Sequence, residues 1–129
     1  MDKTPIPDDV QRFILLTIPS VPYLEALLLM RGDTSLAWDA AQVAQRLYLS
    51  ETVARGLLAN LVRDGVIQQD KNLPDRFRFG PQSVQQGAMI EQLAVIYSRN
   101  LIGVSTLIHS KINRKAQQFA DAFVWKKER

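Results

Sequence analysis

The sequence predicts a mainly α fold carrying one small β-hairpin, and three observations lead there. Apolar residues recur at spacings of three and four over most of the chain. Two helix-sized stretches, 39–47 and 50–64, are separated by only enough residues for a tight turn. After Gly65 the apolar period drops from 3.6 to 2 and holds to Phe79.

In chain order, Pro5 and Pro7 keep the first residues extended, and Asp8 or Asp9 can cap a helix bearing Val10, Phe13 and Ile14. Pro19 stops it. Ser20 can cap a second helix over 21–31, with Pro22 in the first turn where a missing N–H does no harm. That helix is apolar on nearly every side (Tyr23, Leu24, Ala26–Met30), so it must be buried on most of them. Gly32-Asp33 ends it, and 34–38 reads as a short strand. Asp39 and Gln42 have capping-box spacing and open a third helix with Val43, Ala44 and Leu47 inside. Tyr48-Leu49 is a tight turn. Ser50 caps a fourth helix whose inner stripe is Val53, Ala54, Leu57, Leu58 and Leu61, and Gly65 is its left-handed terminator.

Strands at 66–69 and 76–79 form a hairpin, with Phe77 and Phe79 toward the core and Arg76 and Arg78 outward. Gly80-Pro81 closes it. A helix over 84–108 would run about 37 Å, with Gly103 as its weak point. A last helix over 114–125 shows Ala116, Phe119, Ala120, Phe123 and Val124 on one side. Trp38 and Trp125 read as packing residues, and His109 as a charge partner for the long helix's C-terminal dipole. The expected organisation is a single domain over 1–129, with a helix–turn–helix–hairpin core at about 21–81 and a helical packing region at about 83–126.

Composition narrows the chemistry. The 129 residues are 47% hydrophobic and 22% charged, an ordinary globular balance. The absence of cysteine excludes disulfides, thiolate metal sites and cysteine nucleophiles. A single histidine, His109, leaves no histidine metal cluster. No phosphate-cradling glycine loop and no nucleophile-elbow or metalloprotease motif is present. Asp8, Asp9 and Asp33 have no base or metal partner and read as caps and a turn. The expectation is therefore no enzyme, no catalytic residue, no cofactor and no metal. Arg99 interrupts the best apolar run, and the N-terminus has no secretory pattern, so no membrane and a cytoplasmic location are expected.

The net charge of +3 is unevenly spread. Residues 1–38 hold three basic against five acidic side chains, 39–80 six against five, and 81–129 seven against three. The basic excess lies at Lys111, Arg114, Lys115, Lys126, Lys127 and Arg129, which reads first as a solvated helix end and second as a nucleic-acid contact.

The string AAQVAQRLYLSETVARGLLANLVRDGVI resembles the helix–turn–recognition helix–glycine–strand core of bacterial winged helix-turn-helix regulators, MarR-like ones especially. The matching features are the small Ala44, the Ser50 cap, the inward Leu57 and Leu61, and Gly65-Val66-Ile67 leading into the wing. The resemblance implies a winged helix-turn-helix with additional N- and C-terminal helices, acting as a dimeric, DNA-binding transcriptional regulator. Helix 50–64 would enter the major groove, with 66–80 as the wing. Glu51, Thr52, Arg55, Gly56, Ala59 and Arg63 would face outward. Arg55 would reach guanine, and Ser50, Thr52 and Arg63 would share the surface. Arg46, Lys71, Arg76 and Arg78 would hold phosphates of double-stranded DNA. No residue points to a small-molecule effector.

Two alternatives remain open. Glu51 opens the recognition helix, and Asp70 and Asp75 offset Lys71 in the wing, which suits a protein–protein interaction module without DNA binding. The stripe Leu93, Tyr97, Leu101, Val104 and Ile108 either packs within one chain or forms a homodimer interface with a second copy.

Overall fold

The computed structural model describes residues 4–127, with side chains described over 4–121. Among these, the elements are α1 (Asp8–Thr17), α2 (Val21–Gly32), α3 (Ala40–Leu47), α4 (Glu51–Arg63), β1 (Ile67–Gln69), β2 (Phe77–Phe79), α5 (Val84–Arg99) and α6 (Leu101–Lys127). The chain forms two compact units, one of residues 22–94 and one of the residues up to 21 with those from 95 onward. The division runs through α5, between Ala94 and Val95.

In the first unit, α3 and α4 pack on one another through the small Ala44 and Ala54 and the larger Val43, Leu57, Leu58 and Leu61, all buried. From α2 come the buried Tyr23, Leu24, Leu27 and Met30, which accounts for a helix with almost no polar face. The Tyr23 hydroxyl donates to Asp64 Oδ2 at 2.7 Å, and Gln86 Nε2 donates to the Asp64 carbonyl at 3.2 Å, so the C-terminal end of α4 is tied to both α2 and α5. Burial, and then the Asp64 carboxylate, push the Tyr23 phenol well above its ordinary range. Arg31 grips Glu91 with two donors, at 2.9 and 2.6 Å.

Local chemistry sets the ends of the helix pair. Asp39 Oδ1 accepts from the Gln42 amide at 2.8 Å while Gln42 Oε1 accepts from the Asp39 amide at 3.0 Å, the reciprocal capping box. Ser50 Oγ accepts from the Val53 amide at 3.1 Å. Gly65 takes φ 75°, the left-handed conformation that glycine adopts without strain, and a Cβ there would also press on the flexible end of the Gln82 side chain. Val53 departs from expectation: it is 47% exposed, because one residue before Ala54 it is turned about 100° off the Ala54–Leu57–Leu61 stripe.

The hairpin pairs Ile67 with Phe79, Gln68 with Arg78 and Gln69 with Phe77. Phe77 and Phe79 are half-buried, and Arg78 is exposed. The strand expected over 34–38 reduces to one residue, Trp38, whose amide and carbonyl both bond Phe77 at 2.8 Å. The Asp33 carboxylate accepts from the Ser35 amide and hydroxyl, turning the preceding residues too tightly for a longer ladder.

In the second unit, α1 packs on α6 through the buried Val10 and Ile14, with Ile18, Ile96, Tyr97, Val104 and Ile108 also buried. Pro7, not an aspartate, occupies the N-cap of α1; Asp8 and Asp9 lie in the first turn, where their charge favours the helix dipole. The expected 84–108 helix is broken at Asn100. Its amide donates to the Ile96 carbonyl at 2.7 Å and ends α5, while its Oδ1 accepts from the Gly103 amide at 2.9 Å and caps α6. Asn100 Nδ2 also donates to the Thr4 carbonyl at 2.9 Å. A Cβ at Gly103 would collide with the Asn100 side chain, so this glycine makes room for the cap. Conversely, the expected gap before 114 is absent, because nothing between His109 and Asn113 interrupts the helix. His109 is therefore exposed in mid-helix rather than at a C-terminus. The side chains of 122–129, among them Trp125, Lys126, Lys127 and Arg129, lie outside the described residues. Among the described residues, no single helix is long and apolar enough to cross a membrane.

Candidate nucleic-acid interface

The candidate surface belongs wholly to the unit of residues 22–94. Glu51, Thr52, Arg55, Gly56, Ala59 and Arg63 are all exposed, as the inward stripe of α4 requires. Thr52, Arg55, Ala59 and Arg63 follow one another at spacings of three and four and so share a face. Ser50 stands at the start of that face with its hydroxyl engaged as the helix cap.

The structure assigns most of the arginines acidic partners. Arg55 Nη2 donates to Glu51 Oε1 at 2.7 Å, one turn earlier on α4. Arg63 lies 3.4 Å from the neighbouring Asp64 carboxylate. Arg76 donates to the Ala37 carbonyl at 3.2 Å and lies 3.8 Å from Asp39 Oδ2. Arg78 donates to Asp70 Oδ2 at 3.2 Å and to the Ser35 carbonyl. The two wing arginines thus fasten the hairpin to the 33–39 segment. Asp70 is held below the usual carboxylate range, first by the Asn72 amide, then by Arg78 and the Leu73 amide.

Two cations of this module have no carboxylate partner among the described residues. Lys71 is exposed at the hairpin tip. Arg46 is exposed in the last turn of α3, its guanidinium 5.7 Å from the centre of the Trp38 ring, a cation–π contact that orients it without neutralising it. It borders a hollow of about 240 Å³ lined also by Trp38, Gln42 and Gln45. A larger cleft of about 440 Å³ lies among α3, α4 and the hairpin, lined by Asp39, Glu51, Arg55, Leu58, Asp75 and Phe77. Of its three carboxylates, Glu51 is paired with Arg55 and Asp39 lies 3.8 Å from Arg76. No group of three or more acidic or histidine side chains among the described residues could hold a metal ion.

Of the five residues on the α5–α6 stripe, Leu93, Tyr97, Val104 and Ile108 are buried within the single chain, and Leu101 is 53% exposed. Internal packing therefore accounts for four of them. Sequence reasoning missed Tyr48. It is 96% exposed at the turn between α3 and α4, with φ 57°, the one left-handed non-glycine among the described residues. An aromatic between two helix ends was the only signal.

No protein-family model matches the chain, and no curated protein sequence does. Solved structures do match its fold. MepR, a transcription regulator of the Staphylococcus aureus multidrug efflux pump MepA, aligns with a TM-score of 0.54 at 12% identity, over 92% of this chain and 87% of that one. A MepR variant bound to an oligodeoxyribonucleotide aligns at 0.53 and 12% identity, over 92% and 86%. A Cys-to-Ser variant of Lactococcus lactis ZitR aligns at 0.52 and 13% identity, over 98% and 82%. By fold, the chain is a winged helix-turn-helix with flanking helices, an architecture that it shares with MepR and ZitR.

Proposed function

We propose that the chain is a DNA-binding transcriptional regulator of the bacterial cytoplasm, not an enzyme, and that it acts as a homodimer on double-stranded DNA. The observation that carries this reading is the exposed stripe Thr52, Arg55, Ala59 and Arg63 on the second helix of a winged helix-turn-helix. On such a helix Arg55 is placed to donate to a guanine edge and Thr52 to touch a thymine methyl or a phosphate. Arg46 and Lys71, which have no carboxylate partner among the described residues, hold phosphates; Arg76 and Arg78, paired with Asp39 and Asp70, support the wing. Structural likeness to a regulator that has been seen with an oligodeoxyribonucleotide supports the same assignment. For the dimer, Leu101 and its neighbour Ile102, 74% exposed, present an apolar edge suited to a second copy.

A second reading, a winged-helix protein–protein interaction module without DNA binding, is favoured by the acidic side chains Asp39, Glu51 and Asp75 that line the cleft beside Arg55. Binding to a fluorescent random-sequence duplex across a salt series separates the two. A DNA reader binds at low salt, loses affinity steeply as salt rises, and weakens when Arg55→Ala removes a contact. No binding even at about 20 mM salt, where screening is slight, would transfer the assignment to the protein module.

A further inference from the structure

Tyr48 combines two properties that rarely coincide. Its backbone sits at φ 57°, in the left-handed position that ends α3. There glycine is the usual occupant because a side chain crowds the following carbonyl. Its side chain is 96% exposed, so no packing within the chain repays that strain. A bulky residue kept in a costly conformation and left in solvent is a functional residue rather than a structural one. The turn's hydrogen bonds do not need it: the amides of residues 48 and 49 both donate to the Ala44 carbonyl, which glycine or asparagine would do equally well.

Its surroundings indicate what it meets. Arg46, two residues earlier, is the exposed cation of the helix pair that has no carboxylate partner among the described residues, whereas Arg55 and Arg63 are both paired. An uncompensated cation in the last turn of α3 and an exposed phenol at the C-cap of the same helix suit the phosphates of one backbone, which accept hydrogen bonds. From this we infer that Tyr48 donates its hydroxyl to a phosphate of the DNA backbone beside the recognition helix, together with Arg46. This inference rests on the DNA-binding reading and extends it by a contact that positions the helix without reading sequence.

The test compares the wild type, Tyr48→Phe, Tyr48→Gly and Arg46→Ala on the fluorescent random-sequence duplex, with thermal unfolding alongside. Tyr48→Gly should unfold about 2–5 °C higher, because the strain is released, yet bind about three- to tenfold more weakly. Tyr48→Phe should lose a similar factor without a change in unfolding temperature. Because the phenol is neutral, both should keep the wild-type dependence of log affinity on log salt, whereas Arg46→Ala should flatten it by about 0.9. A Tyr48→Phe protein that binds like the wild type overturns the contact, as does a stabilised Tyr48→Gly protein with unchanged affinity. A wild type that binds no duplex at low salt fails the DNA reading itself, a result distinct from either.

Discussion

The Arg55 guanidinium donates to the Glu51 carboxylate at 2.7 Å, one helical turn toward the start of α4, with both side chains more than half exposed. An exposed pair of this kind contributes little to stability. Its larger effect is electrostatic, since it cancels the charge that the recognition face would offer to a phosphate backbone. Glu51→Gln should therefore raise affinity for random-sequence duplex about two- to fivefold at low salt, with stability nearly unchanged. Fluorescence anisotropy measures this. An unaltered or weaker affinity would show that Glu51 does not face nucleic acid.

Leu61 is fully buried on α4, whereas Val53, on the same helix, is half exposed. Leu61→Ala should cost about 2–5 kcal/mol in urea unfolding, and Val53→Ala less than about 1 kcal/mol. Equal costs would mean that the inward face of α4 is misassigned.

Asp70 and Glu91 are both held below the usual carboxylate range, the first chiefly by the Asn72 amide and the second chiefly by Arg31. The folded state thus prefers their ionised forms. Their contribution is complete above the unfolded value near about 4 and is lost as pH falls through the lower folded value. The urea midpoint should fall between about pH 5 and about pH 3, and Asp70→Asn should shallow that fall. Superimposable pH profiles for wild type and variant would remove Asp70 from the acid response.

Leu101 is the exposed member of the apolar stripe along α5 and α6. Leu101→Glu would place a charge in the proposed dimer seam and should halve the mass seen by light scattering. A mass that stays dimeric would move the seam to another face.

Legibility differed sharply along the chain. The segment from Asp39 to Gly65 could be read because its signals are local: a reciprocal capping box, a serine cap, a 3.6-residue stripe and a left-handed glycine. The break at Asn100 was hidden, because an asparagine amid helical spacing looks like one polar position until its side chain turns back to cap the next helix. The arginines could be located on the surface but not paired. Arg76 meets Asp39 and Arg78 meets the Ser35 carbonyl because Trp38 docks on Phe77, a long-range contact that no spacing encodes. The same holds for Tyr48, whose left-handed backbone angle no residue spacing encodes.

The junction at Asn100 also bears on how this chain can change in length. One residue both finishes α5 and starts α6, so there is no loop to absorb an insertion. Adding or deleting a single residue there would turn everything downstream by about 100° and carry Val104 and Ile108 out of their buried positions. The exposed turn at 71–75 has no such constraint on phase. Length variation among homologous chains should accordingly gather at the hairpin tip and avoid the helix junction.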